Sequence, residues 1–173
     1  DVAEWNGGTL RVQTEPGAAG KLVLRGGFHG RYVPTGHLLY VHAGTLYGVR
    51  FDIDRIETAG QPVAVIERVV ASTGTGGAQF SFASNGTLAY VHGDSSGADG
   101  VIYWMTTDGK TSALKAAPGI WGNPSFSPDG KLLAMQRIYG SHEQIAIYDC
   151  TNDRLTQLTF DPANHRLPVW TPD

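Results

Sequence analysis

The chain has 173 residues, a formal net charge of −3, and 17% charged against 41% hydrophobic residues. This length fits one domain or part of a larger protein and excludes a multidomain enzyme. Lys and Arg are scattered singly, without the basic stripe that binding to a phosphate backbone requires, so we expect no nucleic-acid partner. The longest apolar stretch, residues 62–71, is interrupted by Glu67 and Arg68 and is far shorter than the ~20 residues that span a bilayer. We therefore expect no membrane insertion.

In chain order, the predicted elements are short strands separated by turns. The first two, at residues 9–13 and 21–24, are interpreted as the third and fourth strands of an incomplete unit. Three units of four strands follow, because apolar runs recur four times in each. A last strand, rich in apolar residues, begins a further incomplete unit. The predicted boundaries are 1–27, 28–76, 77–122, 123–166 and 167–173.

The turns repeat with the same chemistry. An aromatic residue stands just before each turn, at intervals of 44 to 50 residues: Tyr32, Phe82, Phe126 and Trp170. The first three turns contain Pro34-Thr35-Gly36, Ser84-Asn85-Gly86 and Pro128-Asp129-Gly130. Proline presets φ, Asn or Asp caps the turn, and glycine accepts a positive φ. We therefore predict hairpins here, with Gly86 and Gly130 at positive φ and the four aromatic residues buried between sheets.

Four antiparallel strands in about 40–45 residues is the period of a β-propeller blade. The fold class predicted is all-β, a β-propeller with four-stranded antiparallel blades, although an immunoglobulin-like sandwich stays open. The incomplete units at the two ends complement one another, either within one chain as a four-bladed ring or between two chains. Because an unpaired strand edge is available to another strand, we favour a homodimer that completes the ring.

Several segments also resemble a known family. Residues 122–131 (GNPSFSPDGK), 154–161 (RLTQLTFD) and 168–173 (PVWTPD) resemble the TolB-like, WD-like propeller repeat. Residues 31–40 (RYVPTGHLLY), with GTLY at 44–47 and FD at 51–52, resemble the propellers that follow bacterial serine/threonine kinase domains. The resemblance implies a non-catalytic propeller module in the periplasm or another extracytoplasmic compartment. In such proteins the kinase is a separate domain.

Motifs of catalysis are weak in this sequence. Ser112 and Lys115 have the spacing of a serine acyl-enzyme, but that motif needs a helix, and a strand would turn the two side chains to opposite faces. The glycine-rich segment 74–77 lacks the Lys of a phosphate-binding loop and is expected to be a loop between blades. Residues 94–100 are oxygen-rich but lack the terminal Glu of a calcium loop, so we expect a hairpin tip.

The histidines and the cysteine have structural interpretations. His37, His42 and His92 are expected at the ends of second strands, because none of the six histidines forms a metal-binding pair. Cys150 is expected to be a small residue at a strand end, and as the single cysteine it forms no internal disulfide. We therefore predict no metal and no cofactor.

Binding of a protein or peptide is the predicted function. The resemblance implies that loops around one mouth of the ring carry the binding residues, and aromatic and arginine side chains are favoured as interface anchors. The candidates are Trp121, Asn123, Tyr139, His142, Asn164, His165 and Arg166. The alternative is a propeller-type hydrolase or lyase with its active site in the channel. A third possibility is an excised fragment without independent activity.

Overall fold

The computed structural model describes residues 5–93, 100–116 and 119–172 of the chain. These residues form sixteen β-strands and one short 3-10 turn at Trp5–Gly7, with no α-helix among them. Every strand pairing is antiparallel. Within the described residues no helix has the length and apolarity to cross a membrane. The all-β prediction is confirmed.

The chain forms two compact units, Asp1–Ala78 and Gln79–Asp173. The strands of the first unit are β1 (Thr9–Val12), β2 (Lys21–Arg25), β3 (Phe28–Val33), β4 (His37–His42), β5 (Thr45–Asp52), β6 (Glu57–Ile66), β7 (Ala71–Ser72) and β8 (Gly77–Ala78). Those of the second unit are β9 (Phe80–Phe82), β10 (Leu88–His92), β11 (Val101–Met105), β12 (Thr111–Ala113), β13 (Trp121–Phe126), β14 (Leu132–Tyr139), β15 (His142–Asp149) and β16 (Arg154–Gln157).

The first unit contains one four-stranded sheet in the order β3-β4-β5-β6, and β1 pairs with β2 as a separate two-stranded sheet. Alternation along β4 and β5 places Leu38, Tyr40, Val49 and Phe51 in one buried cluster. Apolar side chains of the β1–β2 pair pack against this cluster, including Leu10 and Val12. The two-stranded sheet is thus fastened by its apolar face, although no further strand completes it in the described residues.

The second unit contains two four-stranded sheets, with orders β9-β10-β11-β12 and β13-β14-β15-β16. The two sheets are joined by packing and by polar contacts. Trp104 of β11 meets Tyr148 of β15 edge-on, with ring centroids 6.2 Å apart. The hydroxyl of Ser84 donates to the carbonyl of Pro128 over 3.3 Å. The central strands β10, β14 and β15 contain most of the buried residues of these two sheets, as expected for strands covered on both faces.

The turn prediction is confirmed at its glycines. Gly86 and Gly130 have φ of 86° and 72°, and Gly36 at the corresponding position of the first unit has φ of 78°. In each turn the glycine N–H donates to a carbonyl three residues earlier, which closes the hairpin. Asn85 and Asp129 accept backbone N–H groups beyond the glycine, as the turn chemistry predicts.

The burial prediction for the repeated aromatic residues is confirmed for Phe126 and wrong for Tyr32. Phe126 is 9% exposed, whereas Tyr32 is 39% exposed. Phe82 and Trp170 are only partly buried. The reason is that the residue before each turn lies near the end of a sheet, where burial depends on what covers that end.

Two details differ from the expected strand pattern. Residues 74–77, expected to be an inter-blade loop, close a small hairpin between β7 and β8. Leu167–Trp170, expected to be a first strand, is not assigned to a strand in the described chain. A strand is defined by its backbone pairing, and no such pairing is assigned to this segment in the described residues. The division at residues 27, 76, 122 and 166 therefore stays a prediction.

Candidate functional site

The residues of the weak catalytic motif are engaged elsewhere. Ser112 lies on β12, where its hydroxyl accepts a hydrogen bond from the indole of Trp104. Lys115 forms an ion pair with Asp153. The strand ends at Ala113, so Lys115 lies beyond it, and the two side chains make different contacts. Over residues 5–93, 100–116 and 119–172, no group of three or more His, Cys, Asp or Glu side chains is placed to hold a metal ion.

The histidines and the cysteine lie where the sequence predicts. His37 and His42 begin and end β4, and His92 ends β10. Cys150 follows the last residue of β15 and is partly buried. Burial, together with the neighbouring Asp149 carboxylate, raises the pKa of the Cys150 thiol to about 11. This thiol is therefore a weak nucleophile at neutral pH. The predicted hairpin tip at residues 94–100 lies almost wholly outside the described residues.

The seven predicted binding residues converge on one end of the sheet β13–β16. Trp121 and Asn123 lie in β13, Tyr139 ends β14, and His142 begins β15. The register pairs Tyr139 with His142 and Trp121 with Arg137, so these strands meet at the same end. Asn164, His165 and Arg166 lie in the segment after β16 and return to this end through contacts with Glu143.

An arginine held between two aromatic rings forms the first part of this site. The guanidinium carbon of Arg137 lies 4.6 Å from the ring centroid of Trp121 and 4.6 Å from that of Tyr139. An N–H of Arg137 also donates to the Tyr139 hydroxyl over 3.0 Å. Trp121 is only 5% exposed, so its ring supports the guanidinium of Arg137 from the buried side. Stacking between rings fixes the guanidinium plane and favours planar recognition.

Glu143 forms the second part. Its carboxylate accepts a hydrogen bond from the side chain of Gln136 and pairs with Arg166, whose Nη2 lies 2.6 Å from Oε1. Its backbone N–H donates to Asn164 Oδ1 over 2.9 Å, and its carbonyl accepts the N–H of His165 over 2.7 Å. Both carboxylate oxygens, the backbone N–H and the backbone carbonyl of Glu143 thus have partners. The segment that carries Asn164 and Arg166 is fastened to the start of β15.

Further contacts fix the same segment. The side-chain amide of Gln144 donates to the carbonyls of Asp161 and Ala163, over 2.8 and 3.0 Å. His165 Nε2 lies 3.0 Å from a carboxylate oxygen of Asp161. Hydrogen bonding to His165, followed by the N–H of Ala163, lowers the pKa of the Asp161 carboxyl. These hydrogen bonds hold the segment against β15.

Asn123 joins the two sheets of the second unit. Its φ of 49° lies in the left-handed region, which asparagine adopts more readily than most residues. The strand is irregular here, between Gly122 and Ser125. Its backbone N–H donates to the side chain of Gln79, and its side-chain amide donates to Gln136 over 2.5 Å. Asn123 is therefore a positioning residue beneath the surface of the site.

Sequence reasoning missed Arg137, Gln136 and Glu143, which organise the site. The signal for Arg137 is its spacing of two from Tyr139, which puts both side chains on one face of a strand. For Glu143 no signal exists in the sequence, because its partners follow at Asn164, His165 and Arg166 across an intervening strand.

A separate groove of about 430 Å³ lies between the two sheets of the second unit, beside the turns. Trp104, Phe126 and Cys150 supply its apolar lining, and Asn85 and Lys131 stand among its polar residues. Lys131 is paired with Asp129 over 3.4 Å. The groove combines a small apolar surface with polar side chains that already have partners.

Comparison with known proteins identifies the fold. No protein-family model and no curated protein sequence matches the chain. Among solved structures, TolB from Acinetobacter baumannii superposes with a TM-score of 0.67 at 20% identity, over 90% of this chain and 38% of the TolB chain. The tricorn protease gives a TM-score of 0.59 at 13% identity, over 87% of this chain and 19% of the other. A puromycin-hydrolyzing peptidase of Mycobacterium tuberculosis gives 0.53 at 14% identity, over 90% and 32%.

Proposed function

We propose that the chain is a non-catalytic module that binds a protein or peptide at the end of the sheet β13–β16. It is an all-β protein of the propeller fold, built from antiparallel four-stranded sheets, and it spans 38% or less of each of the similar structures. One observation carries the proposal: Tyr139, His142 and Arg166 stand on a loop and hairpin that are already fastened through Glu143. A preformed surface loses little conformational entropy on binding.

The chemistry of this surface suits a polypeptide partner. Tyr139 offers an aromatic ring with a polar tip, and Arg166 offers donors beyond those that Glu143 occupies. Aromatic and arginine side chains supply much of the binding energy at protein interfaces. His142 and Asn164 are exposed beside them and add polar contacts.

The test compares captured proteins between matched variants. The chain is immobilised as the wild type, as Tyr139→Ala with Arg166→Ala, and as the control Arg55→Ala on the first unit. We expect a partner that the wild type and the control retain and the double variant loses, with affinity at least about tenfold lower for the double variant by calorimetry. Equal capture by all three proteins would contradict this site.

Absence of catalysis is part of the same proposal. The Ser112 hydroxyl and the Lys115 ammonium, which the acyl-enzyme motif would use, are held by Trp104 and Asp153. Two of the similar structures are a protease and a peptidase, so the fold by itself does not decide between binding and hydrolysis. Assays with ester and peptide substrates should give no turnover. A turnover that one His or Asp substitution abolishes would establish the hydrolase or lyase alternative.

We further propose that residues 167–172 pair with a second copy of the chain and complete a ring. Leu167 and Val169 are 67% and 89% exposed, while the Trp170 indole donates to the carbonyl of Ser125 over 2.8 Å. One side of this segment is thus anchored, and the other presents apolar side chains. Burying each of these side chains would contribute about 1.5–3 kcal/mol.

Light scattering tests the homodimer. We expect twice the chain mass of 18.5 kDa for the wild type. Val169→Lys should give a monomer, because a charge would enter the interface, while Leu158→Lys, which changes an exposed residue outside the segment, should stay dimeric. A wild-type monomer, or a dimer that survives Val169→Lys, would overturn this proposal.

The extracytoplasmic location is supported by the resemblance to TolB-like repeats. A fusion of the full reading frame to a reporter that is active only outside the cytoplasm tests it. The link to kinase-associated propellers likewise rests on residues 31–40, 44–47 and 51–52. Sequencing of the complete gene tests that link, because a kinase domain ahead of this chain would support it.

A further inference from the structure

Four hairpin turns of the second unit meet around the groove of about 430 Å³. Its lining residues come from the turns between β9 and β10, β11 and β12, β13 and β14, and β15 and β16. Tyr139 and His142 lie at the opposite ends of β14 and β15, so the groove is separate from the binding surface proposed above. Its volume is within the range of about 300–1,000 Å³ that small-molecule sites have.

The apolar part of the groove contains a tryptophan that is fixed in position. The indole N–H of Trp104 donates to the hydroxyl of Ser112. The fully buried ring of Tyr148 meets the indole edge-on, with an angle of 86° between the ring planes. Because its one polar group is engaged, Trp104 offers carbon surface to the groove, and Phe126 adds to this surface.

Hydroxyl groups border this apolar surface from both sheets. Thr87 and Thr151 line the groove, and neither hydroxyl has a hydrogen-bond partner in the described part of the chain. Asn85 accepts the N–H of Thr87 through Oδ1 over 3.0 Å, which leaves the two N–H donors of its side chain for a ligand. Since a hydroxyl both donates and accepts, these groups match a ligand that carries hydroxyls on several sides.

The charges in the groove balance. The ionised residues that line it, Asp129 and Lys131, pair with each other, with Oδ2 and Nζ 3.4 Å apart. Asp129 also accepts a hydrogen bond from the Ser127 hydroxyl over 2.7 Å. An ionic ligand would have to compete with this pair, whereas an uncharged ligand would not.

The turns that form the groove are joined to one another. Ser84 Oγ donates to the Pro128 carbonyl over 3.3 Å, which connects the β9–β10 turn to the β13–β14 turn. The N–H of Cys150 donates to the Lys131 carbonyl over 2.9 Å, which connects the β13–β14 turn to the β15–β16 turn. The groove is therefore formed in the free chain, so a ligand has little conformational entropy to remove.

We propose that this groove binds a pyranose ring of an uncharged carbohydrate. The C–H groups on one face of a pyranose carry a slight positive charge and pack well on the negative face of an aromatic ring such as that of Trp104. Its hydroxyls point outwards around the ring and match the hydroxyls of Thr87 and Thr151. A fatty chain has no hydroxyls, and a nucleobase has polar groups on only part of its edge, so each would leave these threonines unused.

The test is a titration of the isotope-labelled full chain with the methyl glycosides of glucose, galactose, mannose and N-acetylglucosamine, followed by chemical shifts. We expect saturable shifts of the Trp104 indole N–H and of the Thr87 and Thr151 amides with at least one glycoside. Sorbitol has the hydroxyls without the ring, and uracil has a ring without hydroxyls, so both should bind at least about tenfold more weakly. Absence of these shifts with all of the glycosides would overturn the proposal, and so would equal or tighter binding of sorbitol or uracil.

Three variants complete the experiment. Thr87→Val combined with Thr151→Val should weaken glycoside binding at least about tenfold, because valine keeps the shape of threonine without its hydroxyl. Trp104→Leu should weaken binding by removing the aromatic surface. The matched control is Thr156→Val, since Thr156 is exposed on β16 and lies outside the groove, and it should bind as the wild type does. Unchanged binding by the double threonine variant, or an equal loss in Thr156→Val, would overturn the proposal.

Discussion

Tyr32 and Phe126 hold the same place in two copies of the repeat, directly before a turn that ends in glycine. Phe126 is 9% exposed because β9 of the same unit packs beside its strand, and the Phe126 N–H donates to Ser81 Oγ over 3.3 Å. Tyr32 is 39% exposed, and its ring meets that of Phe51 in its own sheet, with ring centroids 6.0 Å apart. The repeat thus sets where a side chain lies, whereas the neighbouring sheet decides its burial.

The largest expected effect is the loss of stability when the buried ring of Phe126 is removed. Phe126→Ala should lower the free energy of unfolding by about 3–5 kcal/mol, because it leaves a cavity in packed surroundings. Tyr32→Ala should cost about 1 kcal/mol, because much of that ring already contacts water. Chemical denaturation of both variants measures the difference. Equal losses would show that burial does not distinguish the two positions.

The glycines that end the turns, Gly36 in the first unit and Gly86 in the second, also differ in how closely they are packed. Gly36 and Gly86 both have a positive φ, so an alanine at either should cost about 1–2 kcal/mol of folding stability. A β-carbon at Gly86 would also lie 2.6 Å from Thr107 Cγ2, whereas at Gly36 nothing lies within 4 Å. Gly86→Ala should therefore have the lower melting temperature. The reverse order would contradict the packing described for this turn.

One ion pair from each unit should show the same dependence on burial: the more buried pair should contribute more to the free energy of unfolding. The side chain of Glu143 is 17% exposed in its pair with Arg166, whereas that of Glu57 is 61% exposed in its pair with Lys21. Glu143→Gln should lower the unfolding free energy by about 1–2 kcal/mol. Glu57→Gln should change it by less than about 0.5 kcal/mol.

Limited proteolysis supplies a second readout for Glu143, since it reports on the segment this residue holds. Cleavage within residues 158–166 should accelerate in Glu143→Gln and stay unchanged in Glu57→Gln. If both variants are cut at the wild-type rate, Glu143 does not fasten the segment.

An effect that appears only as the pH is lowered concerns His29, which corresponds to Asn123 in the repeat. Both residues have a left-handed backbone, with φ of 53° and 49°. Burial, with a further contribution from Arg31, lowers the pKa of His29 to about 4. Between pH 6.5 and 4 the unfolded chain takes up a proton at this histidine that the folded chain does not, so folding stability falls as the pH falls.

The variant His29→Asn should remove the contribution of His29 to the pH dependence of stability. Asparagine tolerates the left-handed backbone at this position, and its side chain does not titrate. Unfolding measured from pH 7 to pH 4 should show a flatter decline for the variant than for the wild type. Parallel curves would mean that His29 titrates equally in both states.

Much of the fold could be predicted from local chemistry. The turn sequences around Asn85-Gly86 and Pro128-Asp129-Gly130 specify hairpins through φ and side-chain capping, which act within a few residues. The repeat of four strands in each unit then predicted the order of the strands within each sheet. The small hairpin of β7 and β8 was missed, because its two-residue strands have no periodic pattern to recognise.

The candidate site was predictable only in part. Tyr139 and His142 could be placed because they flank a hairpin turn, and a turn exposes its neighbours. The fastening of Asn164, His165 and Arg166 through Glu143 joins residues of different strands, and no local rule connects them. The stacking of Arg137 between Trp121 and Tyr139 likewise needs the register of β13 against β14.

The sequence by itself determined the strand period, the turn conformations and the antiparallel hairpins, because these follow from backbone preferences and from alternation over short distances. Only the tertiary structure decided that Phe126 is buried and Tyr32 is not, that Arg137 lies between Trp121 and Tyr139, and that Glu143 pairs with Arg166. Burial and ion pairing depend on which surfaces meet in space. That is a sum over distant residues, which no short stretch of the chain encodes.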